Sequence, residues 1–203
     1  MPSAFNRLPA IATSSTQAVK ATPSEVDGST AECRNQWRSR VGVGLLQWNS
    51  TLAASAAAYA AQCNWQHDAN RSPDAGFSYV GENLYATTAM PTNAVMLAAV
   101  DGWASERTSY DYGTAVTAQN FTAFGHYTQL VWDSTTDVGC GYAYCPSVQG
   151  LNGSATLVDC RYGPGGNYLG QTPYGYTSDV CVDLDNDDVF QGADADDTDR
   201  TIQ

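Results

Sequence analysis

Two histidines, His67 and His126, are the only imidazoles in a chain of 203 residues. Imidazole is the side chain best suited to ligate a metal or move a proton near neutral pH, so site chemistry here starts from these two rings. His67 ends the run Cys63-Asn64-Trp65-Gln66-His67, and His126 stands in Gly125-His126-Tyr127-Thr128-Gln129. Glu106 adds a carboxylate in an unusual place. It lies three residues after Trp103 and eleven after Val95, continuing an apolar helical stripe. A bare charge on a core-facing stripe is costly and needs a partner. An arginine such as Arg107 or Arg161 would serve, and so would a histidine or a metal; periodicity leaves both open. Glu82, in Gly81-Glu82-Asn83-Leu84-Tyr85, interrupts an apolar run and reads by itself as a loop carboxylate.

These groups are far apart in the chain, so folded elements must bring them together. Ser29-x-x-Glu32 makes a capping box, and Cys33, Trp37 and Val41 follow at helical spacing. Gly42 and Gly44 break that helix. A second helix is expected from about Thr51 to Cys63, capped by Asn49 or Ser50, with Leu52, Ala56, Tyr59 and Cys63 on its buried side. Pro91-Thr92-Asn93 opens a third, running to about Arg107 with Val95, Ala99 and Trp103 as its stripe. Two strands, Asp137–Cys145 and Ala155–Tyr162, flank the turn-forming segment Gln149–Gly153. Helices first and strands late, without strict alternation, indicate an α+β fold.

Composition narrows the class of function. The net charge is −12, and residues 182–203 carry −7 of it. Lys20 is the sole lysine, and no basic stripe exists to neutralise phosphates, which argues against nucleic acid as a partner. No apolar run is long enough for a membrane span. Residues 1–27, rich in Ser, Thr, Ala and Pro, read as a flexible arm, 28–181 as the folded domain and 182–203 as a disordered acidic tail. Within that tail, Asp183, Asp185, Asp187 and Asp194 copy part of a calcium loop, but Asp188 stands where the sharp-turn glycine belongs. Six cysteines (Cys33, Cys63, Cys140, Cys145, Cys160, Cys181) allow three disulfides. With four N-x-S/T acceptors, at Asn49, Asn70, Asn120 and Asn152, they favour an oxidising, extracellular compartment. The first residues lack the apolar core of a signal peptide, so either a leader has been removed or export takes another route.

Taken together, five motifs resemble the CAP superfamily of cysteine-rich secretory, antigen 5 and pathogenesis-related class-one proteins. They are Gly81-Glu82-Asn83-Leu84, Trp103-x-x-Glu106-x-x-x-Tyr110, Gly125–Trp132, Val138-Gly139-Cys140-Gly141 and Cys160–Tyr168, in the family's order over about residues 30–175. The resemblance implies a three-layer α-β-α sandwich with a central, mainly antiparallel sheet. It also implies a cleft tetrad of His67, Glu82, Glu106 and His126 able to hold a divalent metal, zinc above all, weakly and pH-sensitively. It further implies the disulfides Cys140–Cys160 and Cys63–Cys145, which leaves Cys33–Cys181. Cys145–Cys160 is a rival, since a hairpin centred near Asn152 would set those two roughly opposite. Many members carry His-Asn where this chain has Arg34-Asn35, a change expected to affect local packing more than the cleft.

Family members bind sterols and fatty acids, through an aromatic loop in the sterol case. Here that loop is the segment 110–124, with Tyr110, Tyr112, Phe121 and Phe124 as candidate ligand contacts. A metal-dependent hydrolase or protease using the same cleft is the alternative, and it is the weaker one: no H-E-x-x-H helix and no G-x-S-x-G elbow is present. Recognition of a protein receptor, as an effector or allergen, is the third reading.

Overall fold

The computed structural model describes residues 34–175. The N-terminal arm, the capping box at Ser29, the pair Cys33 and Cys181, and the acidic tail with its calcium-loop pattern lie outside the described residues.

Helix α1 (34–40) lays Trp37 against the core and is followed by the buried Val41. Helix α2 (Ser50–Ala60) is capped by Asn49, whose side chain accepts from the backbone N–H of Thr51 and Leu52. It ends three residues short of the expected Cys63, which takes a left-handed φ of 58°. Helix α3 (Asn93–Ala104) buries Val95, Ala99 and Trp103 as the stripe predicts. It does not reach Arg107 as an α-helix; the chain tightens into a 3-10 turn over Ser105–Ser109. Helix α4 (Phe121–Leu130) was not foreseen from periodicity, and neither were the strands β1 (Gln47–Trp48) and β2 (Gly81–Thr87). Strands β3 (Asp137–Cys145) and β4 (Ala155–Gly163) stand where expected.

The sheet has the order β1-β3-β4-β2, with only the short β1–β3 pair parallel. Side chains alternate between its faces. Val138, Cys140, Tyr142, Val158, Cys160 and Tyr162 share one core with residues of α3 and α4. On the other face Gly139 and Gly141 lie under α2, where a Cβ would overlap the backbone at Ala53 and Ala57. The result is the α-β-α sandwich, helices covering both faces of a mainly antiparallel sheet. The hairpin pairs Cys140 with Cys160 and Cys145 with Ala155, so it centres on Gly150 rather than Asn152. That register rules out the Cys145–Cys160 rival. The disulfides are Cys140–Cys160 within the hairpin and Cys63–Cys145 from the end of α2 to β3. Each adds about 2–4 kcal/mol.

Arg38 fastens α1 to the chain beyond α4. Its fully buried guanidinium donates to the carbonyls of Gly44, Leu130, Trp132 and Thr135 at 2.5–3.2 Å. Burial pulls its pKa down to about 10, partly offset by Asp133 and Tyr162. Backbone carbonyls from three separate stretches of chain are thereby satisfied by one side chain.

The close approach of α2 to β3 yields a direct test. Gly141→Ala should cost about 1–3 kcal/mol in denaturant unfolding, because its methyl group meets helix backbone that cannot yield. Gly44→Ala, with nothing within 4 Å of the new methyl, should stay within about 0.5 kcal/mol. Equal stabilities for the two variants would contradict the packing described.

Candidate functional site

Strand β2 lies at the sheet edge, and its first turn of side chains divides the site. Glu82 and Arg161 pair across β2 and β4 and so share the α2 face. Asn83, the next residue, points to the other face and donates to the His126 carbonyl at 3.0 Å. The two histidines therefore approach from opposite sides of one edge strand, and a single hollow wraps that edge.

On the α2 side, Glu82 Oε2 meets His67 Nδ1 at 2.5 Å. The glutamate side chain is fully buried, whereas the imidazole is half exposed. The Asp68 N–H donates to the same carboxylate. Asp68 in turn receives Arg161 Nη2 at 2.7 Å, and Arg161 also donates to Asp159 at 3.2 Å and lies 5.7 Å from the Tyr59 ring centroid. A buried guanidinium thus ties the segment carrying His67 to the sheet.

On the other side the chain does something the apolar stripe did not show. Phe124 has non-helical angles (φ −149°, ψ 16°), which kinks α4 and starts a fresh helical segment. The first N–H groups of a helix lack internal acceptors and attract a carboxylate. Glu106 supplies it: its oxygens accept from the N–H of His126 at 2.9 Å, from Tyr127 at 3.2 Å, and from His126 Nδ1 at 2.7 Å. Its partner is thus the histidine and not an arginine. Arg107 instead lies over Trp37, and Arg161 serves Asp68. Trp103 stacks behind His126, ring centroids 6.3 Å apart.

An ionised carboxylate only accepts hydrogen bonds, so each Nδ1 is the donor, and a neutral ring held this way has its lone pair on Nε2. Both rings line a hollow of about 250 Å³ with Glu82, Asn83, Phe121 and Gly125. It adjoins a larger one of about 450 Å³ that shares His67, Glu82 and Phe121 and adds Arg71, Tyr79 and Leu169. Of the four expected cleft residues, His67, Glu82 and His126 line this hollow, and Glu106 meets it through its bond to His126. Among the described residues no group of three or more His, Cys, Asp and Glu is placed to hold a metal.

The candidate ligand aromatics divide. Tyr110 and Phe124 are buried, packed edge to face with centroids 5.3 Å apart. Tyr112 is part-exposed beside Tyr174, and Phe121 alone of the four lines the hollow. Tyr79, Leu169 and the Arg161 cluster escaped sequence reasoning; a buried-strand arginine flanked by Asp159 was the available signal. Arg34 is buried against the Cys140–Cys160 sulfurs, 2.9 and 2.7 Å away, and lies 5.9 Å from the Trp103 centroid. It therefore packs on the tryptophan that backs His126.

The geometry defines an α-β-α sandwich with a carboxylate-backed histidine pair at its edge. The profile of the cysteine-rich secretory protein family, CAP, matches residues 32–162, and the chain belongs to that family. It is 38% identical to pathogenesis-related protein 1 of Arabidopsis thaliana, over 77% of this chain and 86% of that protein. It is 31% identical to human GLIPR1-like protein 1, over 84% of this chain and 72% of that one. The match to mouse peptidase inhibitor 16, 36% identical over 70% of this chain, spans only 28% of that longer protein. Among solved structures, Na-ASP-1 superposes with a TM-score of 0.62 at 26% identity, over 75% of this chain and 42% of that one. NaASP2, solved with Zn2+, shares the fold at 24% identity and TM-score 0.60, over 73% and 84%.

Asp159 makes the site's support pH-sensitive. Complete burial, then the charge of Glu82, hold its carboxyl well above the ordinary carboxylate range, against the pull of Arg161. A carboxyl raised in the folded state binds its proton more tightly there than in the unfolded chain. Its stabilisation is complete below the unfolded value, about 3.9, and is lost as pH rises through the folded one. Asp159→Asn should therefore gain stability relative to wild type between pH 4 and pH 7 in urea unfolding. A variant that loses ground over that interval would contradict this assignment.

Proposed function

We propose that the chain is an extracellular binding protein whose edge hollow holds a divalent ion, zinc foremost, through Nε2 of His67 and His126. One observation carries this reading: two imidazoles, each held at Nδ1 by a glutamate, line the same hollow. Glu82 and Glu106 orient the rings through their Nδ1 atoms. An ion held there would supply a Lewis-acidic centre. The two disulfides and the family's secreted relatives support the extracellular setting.

The adjoining 450 Å³ hollow falls in the range of small-molecule sites, about 300–1,000 Å³. Its walls of Tyr79, Ala118, Phe121 and Leu169 suit the apolar body of a sterol or fatty acid, while Gln129, Asn167 and Arg71 offer polar contacts. Tyr110 and Phe124 lie in the core and do not line it.

Calorimetric titration with zinc separates the roles. His126→Ala should abolish binding with the circular dichroism spectrum retained. Glu106→Gln should weaken it by about 10–100-fold, the usual effect of losing a carboxylate behind a metal-bound histidine. Affinity should fall as pH drops, since a protonated imidazole has no lone pair to give. Unchanged affinity in His126→Ala would overturn the metal reading. Retention of a sterol or fatty acid should fall in Phe121→Ala and persist in Tyr112→Ala; the reverse pattern would place the ligand elsewhere.

A further inference from the structure

The four glycan acceptors stand in unlike surroundings. Asn49 is engaged at both ends: its Oδ1 caps α2, and its Nδ2 donates to Asp137 Oδ1 at 3.0 Å. Asn120 accepts from the Thr117 N–H at 2.8 Å and donates to the Ala115 carbonyl at 2.9 Å. Both are half-buried, and the hydroxyl residue of each acceptor motif, Thr51 or Thr122, is wound into a helix. Asn70 is exposed, but its motif is folded in. Ser72 Oγ accepts from the Val80 N–H at 2.8 Å, and Arg71 clamps the carbonyls of Val80 and Asp68. In Asn152-Gly153-Ser154 alone are all three residues exposed, outside helix and strand, at the tip of the β3–β4 hairpin.

A second observation lies beside that tip. The Trp65 N–H donates to the Gln149 carbonyl at 2.8 Å, so the hairpin loop is stitched to the segment that leads to His67. Trp65 and Leu151 are each 37% exposed. Gly150 lies beside Trp65, where an added Cβ would stand 3.4 Å away in ordinary contact. A tryptophan face presented to water next to an available asparagine is a natural platform for the C–H face of a sugar ring.

We propose that Asn152 is the N-glycosylated residue of the folded protein, and that its first sugars cover Trp65 and Leu151. This rests on the extracellular reading above. In the transfer, Asn152 Nδ2 attacks the anomeric carbon of a polyprenyl-diphosphate-linked oligosaccharide. The N–C bond forms as the C–O bond to diphosphate breaks; the lipid diphosphate leaves with the electron pair, and the amide nitrogen gives up one proton. A chain modified at Asn49 or Asn120 before folding would carry its sugar on an amide nitrogen that the fold uses as a donor, to Asp137 or to the Ala115 carbonyl. Asn152 carries no such role.

The test is secretion of the full chain, behind a supplied leader, from a eukaryotic host. Peptide mapping after glycanase treatment in heavy-oxygen water reads each acceptor. Label is expected at Asn152 and not at Asn49, Asn70 or Asn120, and Asn152→Gln should lose the whole glycan mass. Enzymatic removal of the glycan should increase binding of an apolar fluorescent dye, and the increase should vanish in Trp65→Ser. Unmodified Asn152, or glycan mass surviving in Asn152→Gln, would overturn the assignment. A dye response unaffected by Trp65→Ser would overturn the shielding. The same map reads the disulfides: oxidised Cys63–Cys145 and Cys140–Cys160 with a bare Asn152 would sink this inference while leaving the compartment reading standing.

Discussion

A carboxylate placed against imidazole Nδ1 does two things at once. It fixes which nitrogen bears the proton, and it fixes the direction in which the other nitrogen's lone pair points. In this protein that constraint operates twice, at Glu82–His67 and at Glu106–His126. Much of the surrounding structure serves to hold those two contacts. The edge strand β2 presents Glu82 to one face and Asn83 to the other, so a seven-residue strand separates the histidines yet lets both reach its end. The kink at Phe124 frees the N–H groups of His126 and Tyr127, and Glu106 occupies them.

Behind each histidine stands a different kind of support. The His67 half is electrostatic: Arg161 gathers Asp68 and Asp159, and Asp68 lends its N–H to Glu82. Two buried or half-buried aspartates and one glutamate around a single guanidinium leave an excess of negative charge. The most deeply buried of them, Asp159, is pushed towards its neutral form. The His126 half is packed: Trp103 stacks on the ring, Arg34 packs on Trp103, and the Cys140–Cys160 disulfide lies beneath Arg34. Arginine in place of the family's frequent histidine at this position therefore reaches the cleft through one tryptophan.

The parts legible in the sequence were those set by local pattern. The spacing of Val95, Ala99 and Trp103, the Asn49 cap and the hairpin strands all survive in the structure because each follows from chain geometry alone. Glu106 was visible as a charge on an apolar stripe, but not its partner, since that depends on the backbone kink at Phe124, in another element. Helix α4 was illegible for the same reason: its two segments are joined across Phe124, and the second begins on a carboxylate from another element. Strand β2 was hidden because Gly81, Glu82 and Asn83 are all buried, which erases the alternation by which a half-exposed strand is recognised. The aromatic segment misleads in a simpler way. Tyr110 and Phe124 match a ligand loop in composition, yet they fill the core.

The proposed ion-binding function requires both imidazoles to present an Nε2 lone pair to one hollow. Long-range proton–nitrogen correlation spectra of uniformly labelled protein, recorded at neutral pH with and without zinc, read this state directly. The account predicts Nδ1–H tautomers for both His67 and His126, and zinc-induced shifts of both Nε2 resonances at a common stoichiometry. An Nε2–H tautomer at either ring, or a shift confined to one of them, would contradict it.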